Sequence, residues 1–430
     1  MLPDRVSFIN LSNVQCILNN QAASDIINAY FPENQNMSTQ LERGSLKSQQ
    51  ISESVFREVS RLAHLHKAIN LGPGLPDSLI PPELIEAGIH SLNNNIHQYA
   101  IIFGDRMLRE AIADKEMRLS GRKIDPETQI TVTCGATEAL YASMLAHLDP
   151  GDEVIVFEPF YESYGPNTIL CGAHPVYVSL RPPDWRFDEQ ELIKAFNSRT
   201  KAIILNSPQN PTGTVFTKEE LQTIAKLCQK YGVIAITDEI YEYITYDGIE
   251  HHSIASIPGM EELSITAHSL SKTFSVTGWR IGWAITSPSL TTPIRKVHDF
   301  VTAGTAAPLQ RAAAQAVSLG EDYYRSLAPQ YQTRRDHLLK TLDMVEIPYA
   351  KPQGAYYLLA DISKFGFEDD MAFTKNLIEK VGVAAVPGST FFRPTSSFGK
   401  DYIRICFSRQ IEVLEQARER LTTGNLYCQN

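Results

Sequence analysis

Polar and apolar positions show no sustained period over the first fifty residues. Residues 1–20 open with Asp4 and Arg5 and interrupt their apolar positions with Asn10, Asn13, Asn19 and Asn20, which denies them the continuous apolar stretch of a secretory signal. Residues 31–50 are polar, with Asn34, Asn36, Ser38, Ser45, Ser48, Gln49 and Gln50. The pattern predicts a poorly ordered lead-in over 1–47, with Met37 a second possible start and residues 1–36 dispensable for folding. From Ser52 the character changes. Val55, Phe56, Val59, Leu62 and Ala63 recur at helical spacing and predict a helix to about Lys67; Ile69-Asn70-Leu71 then runs into Gly72-Pro73-Gly74 as strand and loop. Between about residues 84 and 305 short apolar runs at 129–134, 153–157, 201–206, 233–238, 263–269 and 281–285 alternate with helical segments. Thr217 and Glu220 write a capping box ahead of Leu221, Ile224, Ala225 and Cys228, and Gly232 closes that helix. Strands alternating with helices predict a mostly parallel sheet covered on both faces. Beyond about 310, long helical segments surround a few strands, such as 354–361 and 402–407, as in a smaller α+β domain. The expected division is 86–309 for a large domain, with 48–85 and 310–430 forming a small one.

Composition narrows the field. The 430 residues carry 39 Lys plus Arg against 49 Asp plus Glu, a net charge of −10, which disfavours a nucleic-acid binder. No apolar run approaches the ~18 residues of a membrane span. The six cysteines, at 16, 134, 171, 228, 406 and 428, lack the close spacing of a metal site or disulfide scaffold, so reduced thiols in the cytoplasm are expected and no metal.

The candidate chemistry centres on residues 269–283, SLSKTFSVTGWRIGW, which follow an apolar strand. Ligands of such sheets bind beyond the carboxyl ends of the strands. Lys272 there suits a Schiff base with a carbonyl cofactor, and Ser269, Ser271, Thr273 and Arg280 suit a phosphate close to it. A solvated Lys and Arg beside a turn is the ordinary alternative for this segment alone. Asp238 ends another apolar strand, where a carboxylate needs a positive partner such as a pyridinium N–H, and Tyr241 follows three residues later. Asn210, before Pro211, follows a further strand. Residues 133–140, TCGATEAL, run from strand to helix through Gly135 and would offer backbone N–H groups and Thr137 to a phosphate. Tyr161, in EPFYESY, offers a ring to stack on a flat cofactor.

Together these segments resemble the fold-type I, pyridoxal-phosphate-dependent class I/II aminotransferases, from about residue 52 to the C-terminus. The resemblance rests on S-x-S-K with its following arginine (269–280), N-P-T-G (210–213), D-E-x-Y (238–241) and G-A-T-E (135–138); INLGPGLPD (69–77) and PQGAYY (352–357) place it near the bacterial aspartate and kynurenine/methionine-type branch. It implies an aspartate-aminotransferase-like α/β fold, with a seven-stranded-type sheet in a large cofactor domain and a smaller α+β domain. It further implies Lys272 as Schiff-base lysine and proton shuttle, Asp238 on the pyridine nitrogen, and Tyr241 and Asn210 on the phenolate oxygen. Gly135, Ala136, Thr137, Ser269 and Arg280 would hold the phosphate, Tyr161 would stack on the ring, Arg404 would grip the substrate α-carboxylate, and Gly72 would approach the substrate. Tyr99 would reach the phosphate of a neighbouring subunit, implying a homodimer with shared active sites. The first 45 or so residues match nothing in the family pattern, and Gly104-Asp105-Arg106 replaces its usual glycine and apolar pair.

The implied reaction is ping-pong transfer of an amino group from an L-amino acid to a 2-oxo acid. A β-lyase or synthase on the same scaffold is an alternative, as is an aspartate-preferring enzyme; a non-enzymatic regulator would want a DNA-binding module for which the lead-in is too short and too poor in Lys and Arg. Residues 298–310 contain no Lys or Arg, and Ile101, Ile102 and Phe103 would add apolar surface at the pocket mouth, so a neutral or aromatic donor is expected. Arg106 and Lys296 are the nearby cations that would reverse this by turning inward.

Overall fold

The computed structural model describes residues 44–51, 53–94 and 96–428. The chain divides into two units, 1–51 and 52–430. Of the expected lead-in, everything before residue 44 lies outside the described residues; in the first unit these form the short helix Leu46–Gln49, capped by Ser45.

In the second unit, the amphipathic helix expected after Ser52 spans Val55–Leu65. The strands, in chain order, are β1 (Ile69–Asn70), β2 (Ile130–Thr133), β3 (Glu153–Glu158), β4 (His174–Arg181), β5 (Arg186–Phe187), β6 (Thr200–Asn206), β7 (Ile234–Asp238), β8 (Ser264–Ser269), β9 (Gly282–Thr286), β10 (Tyr357–Asp361), β11 (Val383–Ala384), β12 (Val386–Pro387) and β13 (Tyr402–Cys406). Eight of them form one sheet in the order β2-β9-β8-β7-β6-β3-β4-β5. Its centre is parallel, whereas β9 runs antiparallel to both β8 and β2, and β5 turns back on β4. The sheet exceeds the seven strands implied by the resemblance because two residues, Arg186 and Phe187, pair as a short edge.

Strands β2, β3, β7, β8 and β9 are buried along their whole length, which is why they read as unbroken apolar runs: helices cover both faces. The helix between β6 and β7, Lys218–Tyr231, has the anticipated capping box of Thr217 with Glu220 and a left-handed Gly232 at its end. Outside the large sheet, β10-β13-β12 form an antiparallel trio and β1 pairs parallel with β11. Leu342, Phe365, Phe373, Ile405 and Leu421 belong to the buried core around them.

Adjacent parallel strands end side by side: Asn206 is opposite Asp238, and Asp238 is opposite Ala267, two residues before the end of β8. The loops leaving these ends carry Asn210, Tyr241 and Lys272, so parallel topology brings distant parts of the chain to one edge.

Candidate active site

A cavity of about 440 Å³ opens at that edge, and it is lined by Ala136, Thr137, Tyr161, Asn210, Asp238, Tyr241, Ser269, Lys272, Arg280 and Arg404 among others. Lys272 lies in the short helix Leu270–Thr273 that begins where β8 stops, and Ser269 caps this helix by accepting from the Ser271 N–H. Lys272 Nζ donates to the Gly74 carbonyl at 2.7 Å. Burial brings its amine down to about 8, within reach of the neutral, nucleophilic form.

Asp238 is buried at the end of β7, and burial pushes its carboxyl up to about 6. Its Oδ2 accepts from the Tyr164 hydroxyl at 2.9 Å, which works against that rise. No ion pair satisfies this carboxylate among the described residues, and it faces the cavity. Tyr161, named from the sequence as a stacking ring, lies edge-on to Tyr164 with centroids 5.8 Å apart. Tyr241 is 3.1 Å from the Tyr357 hydroxyl, oxygen to oxygen.

Arg404 sits in the middle of β13, opposite Leu359 of β10, and is 1% exposed. One guanidinium nitrogen donates to Asn210 Oδ1 at 2.9 Å and another to the Gly72 carbonyl, while Nε is buried without a partner. The guanidinium lies over the rings of Phe56, Tyr357 and Phe391 at 4.7, 4.3 and 4.8 Å. A buried cation that lines a cavity and keeps an unused donor is a site for an anion.

Gly135 (φ +80°) precedes the helix Ala136–His147, whose first residues, Ala136 and Thr137, line the cavity and carry N–H groups with no partner inside the helix. A Cβ on Gly135 would lie 2.3 Å from an Arg280 guanidinium nitrogen, so only glycine lets Arg280 cross this turn. Arg280 donates to the carbonyls of Thr277 and Cys134 at 2.9 and 3.4 Å.

Of the residues named for the site from the sequence, Gly72, Tyr99, Gly135 and Thr273 do not line the cavity. Gly72 contributes its carbonyl to Arg404 from behind, and Gly74, two residues on, lines the space; a Cβ there would collide with the Tyr357 hydroxyl. Tyr99 is 88% exposed and does not line its own chain's cavity. Ile101, Ile102 and Phe103 do not line it either: Phe103 packs beneath the guanidinium groups of Arg295 and Arg109, 3.8 and 4.7 Å from its ring centre. Arg106 is turned to solvent and bonded to Glu110 at 2.8 Å, and Lys296 is exposed. Sequence reasoning missed Tyr164, Gly74, Phe56, Tyr357 and Glu162. Tyr164 had a signal, being the last residue of the EPFYESY segment already singled out for Tyr161.

Elsewhere, donor atoms of Glu239, Glu242 and His268 lie within 4.8 Å of one another, but Lys115 Nζ is 3.1 Å from Glu242 and already supplies a cation. Five cysteines among the described residues are free, and Cys16 lies outside them. No helix among the described residues is long and apolar enough to cross a membrane.

Residues 66–421 match the family described as aminotransferase class I and II. The chain is 37% identical to human kynurenine–oxoglutarate transaminase 1, over 85% of this chain and 94% of that protein. It is 36% identical to the methionine aminotransferase of Escherichia coli strain K12, over 87% and 97% of the two chains. The solved structure of N-succinyldiaminopimelate aminotransferase from Mycobacterium tuberculosis superposes with a TM-score of 0.85 at 37% identity, covering 88% of this chain and 99% of that one. With a matching family pattern over most of its length and relatives of this identity, the chain belongs to the class I and II aminotransferases.

Proposed function

We propose that the cavity holds pyridoxal 5′-phosphate and that the enzyme moves the amino group of a neutral or aromatic L-amino acid to a 2-oxo acid in two half-reactions. The observation that carries this reading is the buried Asp238 carboxylate, held by Tyr164 but lacking a cation, on a wall shared with the Lys272 amine. A ring whose basic nitrogen takes a proton would match that carboxylate, and a phosphate would match the turn at Gly135 with Thr137, Ser269 and Arg280. When bound, the cofactor supplies an electron sink that makes the donor's Cα proton acidic.

The chain's own residues do the rest. Lys272 Nζ would be the nucleophile toward the cofactor's aldehyde and, as the free amine, the base for the proton on the donor's Cα. Arg404 grips the donor's α-carboxylate with its free Nε and a neighbouring nitrogen, a planar two-pronged contact that lysine lacks. Asp238 keeps positive charge on the ring nitrogen, Tyr164 keeps Asp238 in place, and Tyr241 and Asn210 serve the ring's oxygen. Tyr161 covers the ring face.

Among the described residues three cations line the cavity: Lys272, Arg280 and Arg404. Each has a task in this scheme, which leaves none for a distal carboxylate, and Glu162 adds a negative charge. That supports a neutral donor. Tyr99 and Phe300, 88% and 92% exposed, support a homodimer in which Tyr99 serves the neighbouring site. We further assign residues 48–85 and 310–430 to a small domain and 86–309 to a large one, and place the enzyme in the cytoplasm on its free thiols. A donor–acceptor screen following keto-acid formation tests the assignment: methionine and phenylalanine are expected to exceed aspartate in kcat/KM. Aspartate ahead by more than about tenfold, roughly 1.4 kcal/mol, would reverse it, and elimination without amino transfer would favour the lyase.

A further inference from the structure

We propose that His298 is a positioning residue, held as an imidazolium between Glu138 and the Ile102 carbonyl, which ties the turn of the phosphate donors to the segment that carries Tyr99. The inference rests on the cofactor site proposed above. His298 is fully buried in the helix Pro288–Thr302. Its Nδ1 is 2.5 Å from Glu138 Oε1 and its Nε2 is 2.9 Å from the Ile102 carbonyl oxygen. A carboxylate and a carbonyl only accept, so each ring nitrogen must bring a proton; a neutral imidazole has one N–H and would set lone pair against lone pair at the other contact.

The proton belongs to the ring rather than to Glu138. The Glu138 carboxylate also accepts from the Cys134 N–H and from Thr302 Oγ1, the latter at 3.0 Å, and donors of this kind favour the ionised form. Burial alone would depress the His298 pKa, but the bond to Glu138 outweighs it and leaves it raised; Glu138, which burial would raise, is lowered by His298. The other charge facing the ring is Asp299, on its own helix, which also favours the proton. The 99–104 segment contributes a carbonyl, and beyond Glu138 lies the Cys134 thiol, whose proton burial retains.

Each contact reaches a different part of the active site. Through Glu138, His298 holds the amide of Cys134, the residue before Gly135. Through Ile102 it holds the segment leading back to Tyr99, which is also pinned where Val132 N–H meets the Phe103 carbonyl at 3.0 Å. Because the folded pKa is raised, this link is complete below the ordinary histidine value of about 6.5 and is lost as pH rises through the folded value.

The first test is a titration of His298 in the apoprotein, by hydrogen exchange at the imidazole C2 read by mass spectrometry. A midpoint above the ordinary histidine value of about 6.5 is expected, and one at or below it overturns the proposal. Glu138→Gln should bring the midpoint down; an unmoved midpoint also overturns it. The second test is the dissociation constant of pyridoxal phosphate. His298→Gln is expected to bind it about tenfold more weakly than the parent protein near neutral pH, with the deficit closing as pH rises past the His298 midpoint and backbone exchange at 101–104 accelerating in the variant. A deficit equal at every pH would mean that His298 only fills space. If the parent protein takes up no pyridoxal phosphate, the cofactor reading falls, while the apoprotein titration still judges His298.

Discussion

Replacing Tyr164 with Phe tests whether Asp238 is the counter-charge of a ring nitrogen. The change removes one hydroxyl from a buried site and leaves the ring packing nearly intact. That hydroxyl donates to Asp238 Oδ2 at 2.9 Å; the other donor, the Ile240 N–H, is distant at 3.4 Å from Oδ1. A hydrogen bond to a charged group contributes about 1.5–3 kcal/mol, and one pKa unit corresponds to about 1.4 kcal/mol. Asp238, already at about 6, should therefore rise by about one to two units, to about 7–8. At pH 7 its ionised fraction would fall from about 90% to between about a half and about a tenth. The assay is equilibrium binding of pyridoxal phosphate against pH in a Lys272→Ala background, where no covalent link forms and the lysine's own titration is absent. Binding should strengthen as Asp238 ionises, and the midpoint of that rise should move up by at least a unit when Tyr164→Phe is added. Movement of less than about 0.3 unit would mean that the Tyr164 contact does not set the charge on Asp238.

Further outcomes follow from the same geometry. Lys272→Ala should abolish transamination and the near-ultraviolet or visible band of the loaded enzyme; unchanged turnover would sink the central assignment. In the unmutated apoprotein, cofactor capture should quicken as pH rises through about 8, where the Lys272 amine loses its proton, and a rate that is flat across that range would contradict a neutral nucleophile. Arg404→Lys gives up the two-pronged grip and strands Asn210 Oδ1 and the Gly72 carbonyl, so the donor KM should rise about a hundredfold with a smaller change in kcat, checked by steady-state kinetics. Gly135→Ala forces a side chain into left-handed backbone and against Arg280, and the dissociation constant of pyridoxal phosphate should rise at least about tenfold.

The sequence by itself determined the pieces that depend on local order. Central parallel strands must be apolar on both faces, so β3, β6, β7 and β8 stood out as runs, and the helix between β6 and β7 carried its own start and stop in Thr217, Glu220 and Gly232. Lys272, Asp238 and Asn210 were legible because each follows such a run directly, and strand ends are where an α/β sheet places its ligands. Strand β4 was not legible, since it lies toward the sheet margin and its burial is mixed along its length. The tertiary structure alone decided which distant groups meet. Tyr164 reaches Asp238 across seventy-four residues, Gly74 reaches Lys272, and Gly72 and Asn210 converge on Arg404 from 332 and 194 residues away. It also left Tyr99 exposed and packed the half-buried Phe103 beneath two arginines, where its place just after Tyr99 had suggested apolar surface at the pocket mouth. Periodicity says which face of an element is buried; what it is buried against depends on how the sheet orders its strands, and that order is fixed by contacts no local window contains.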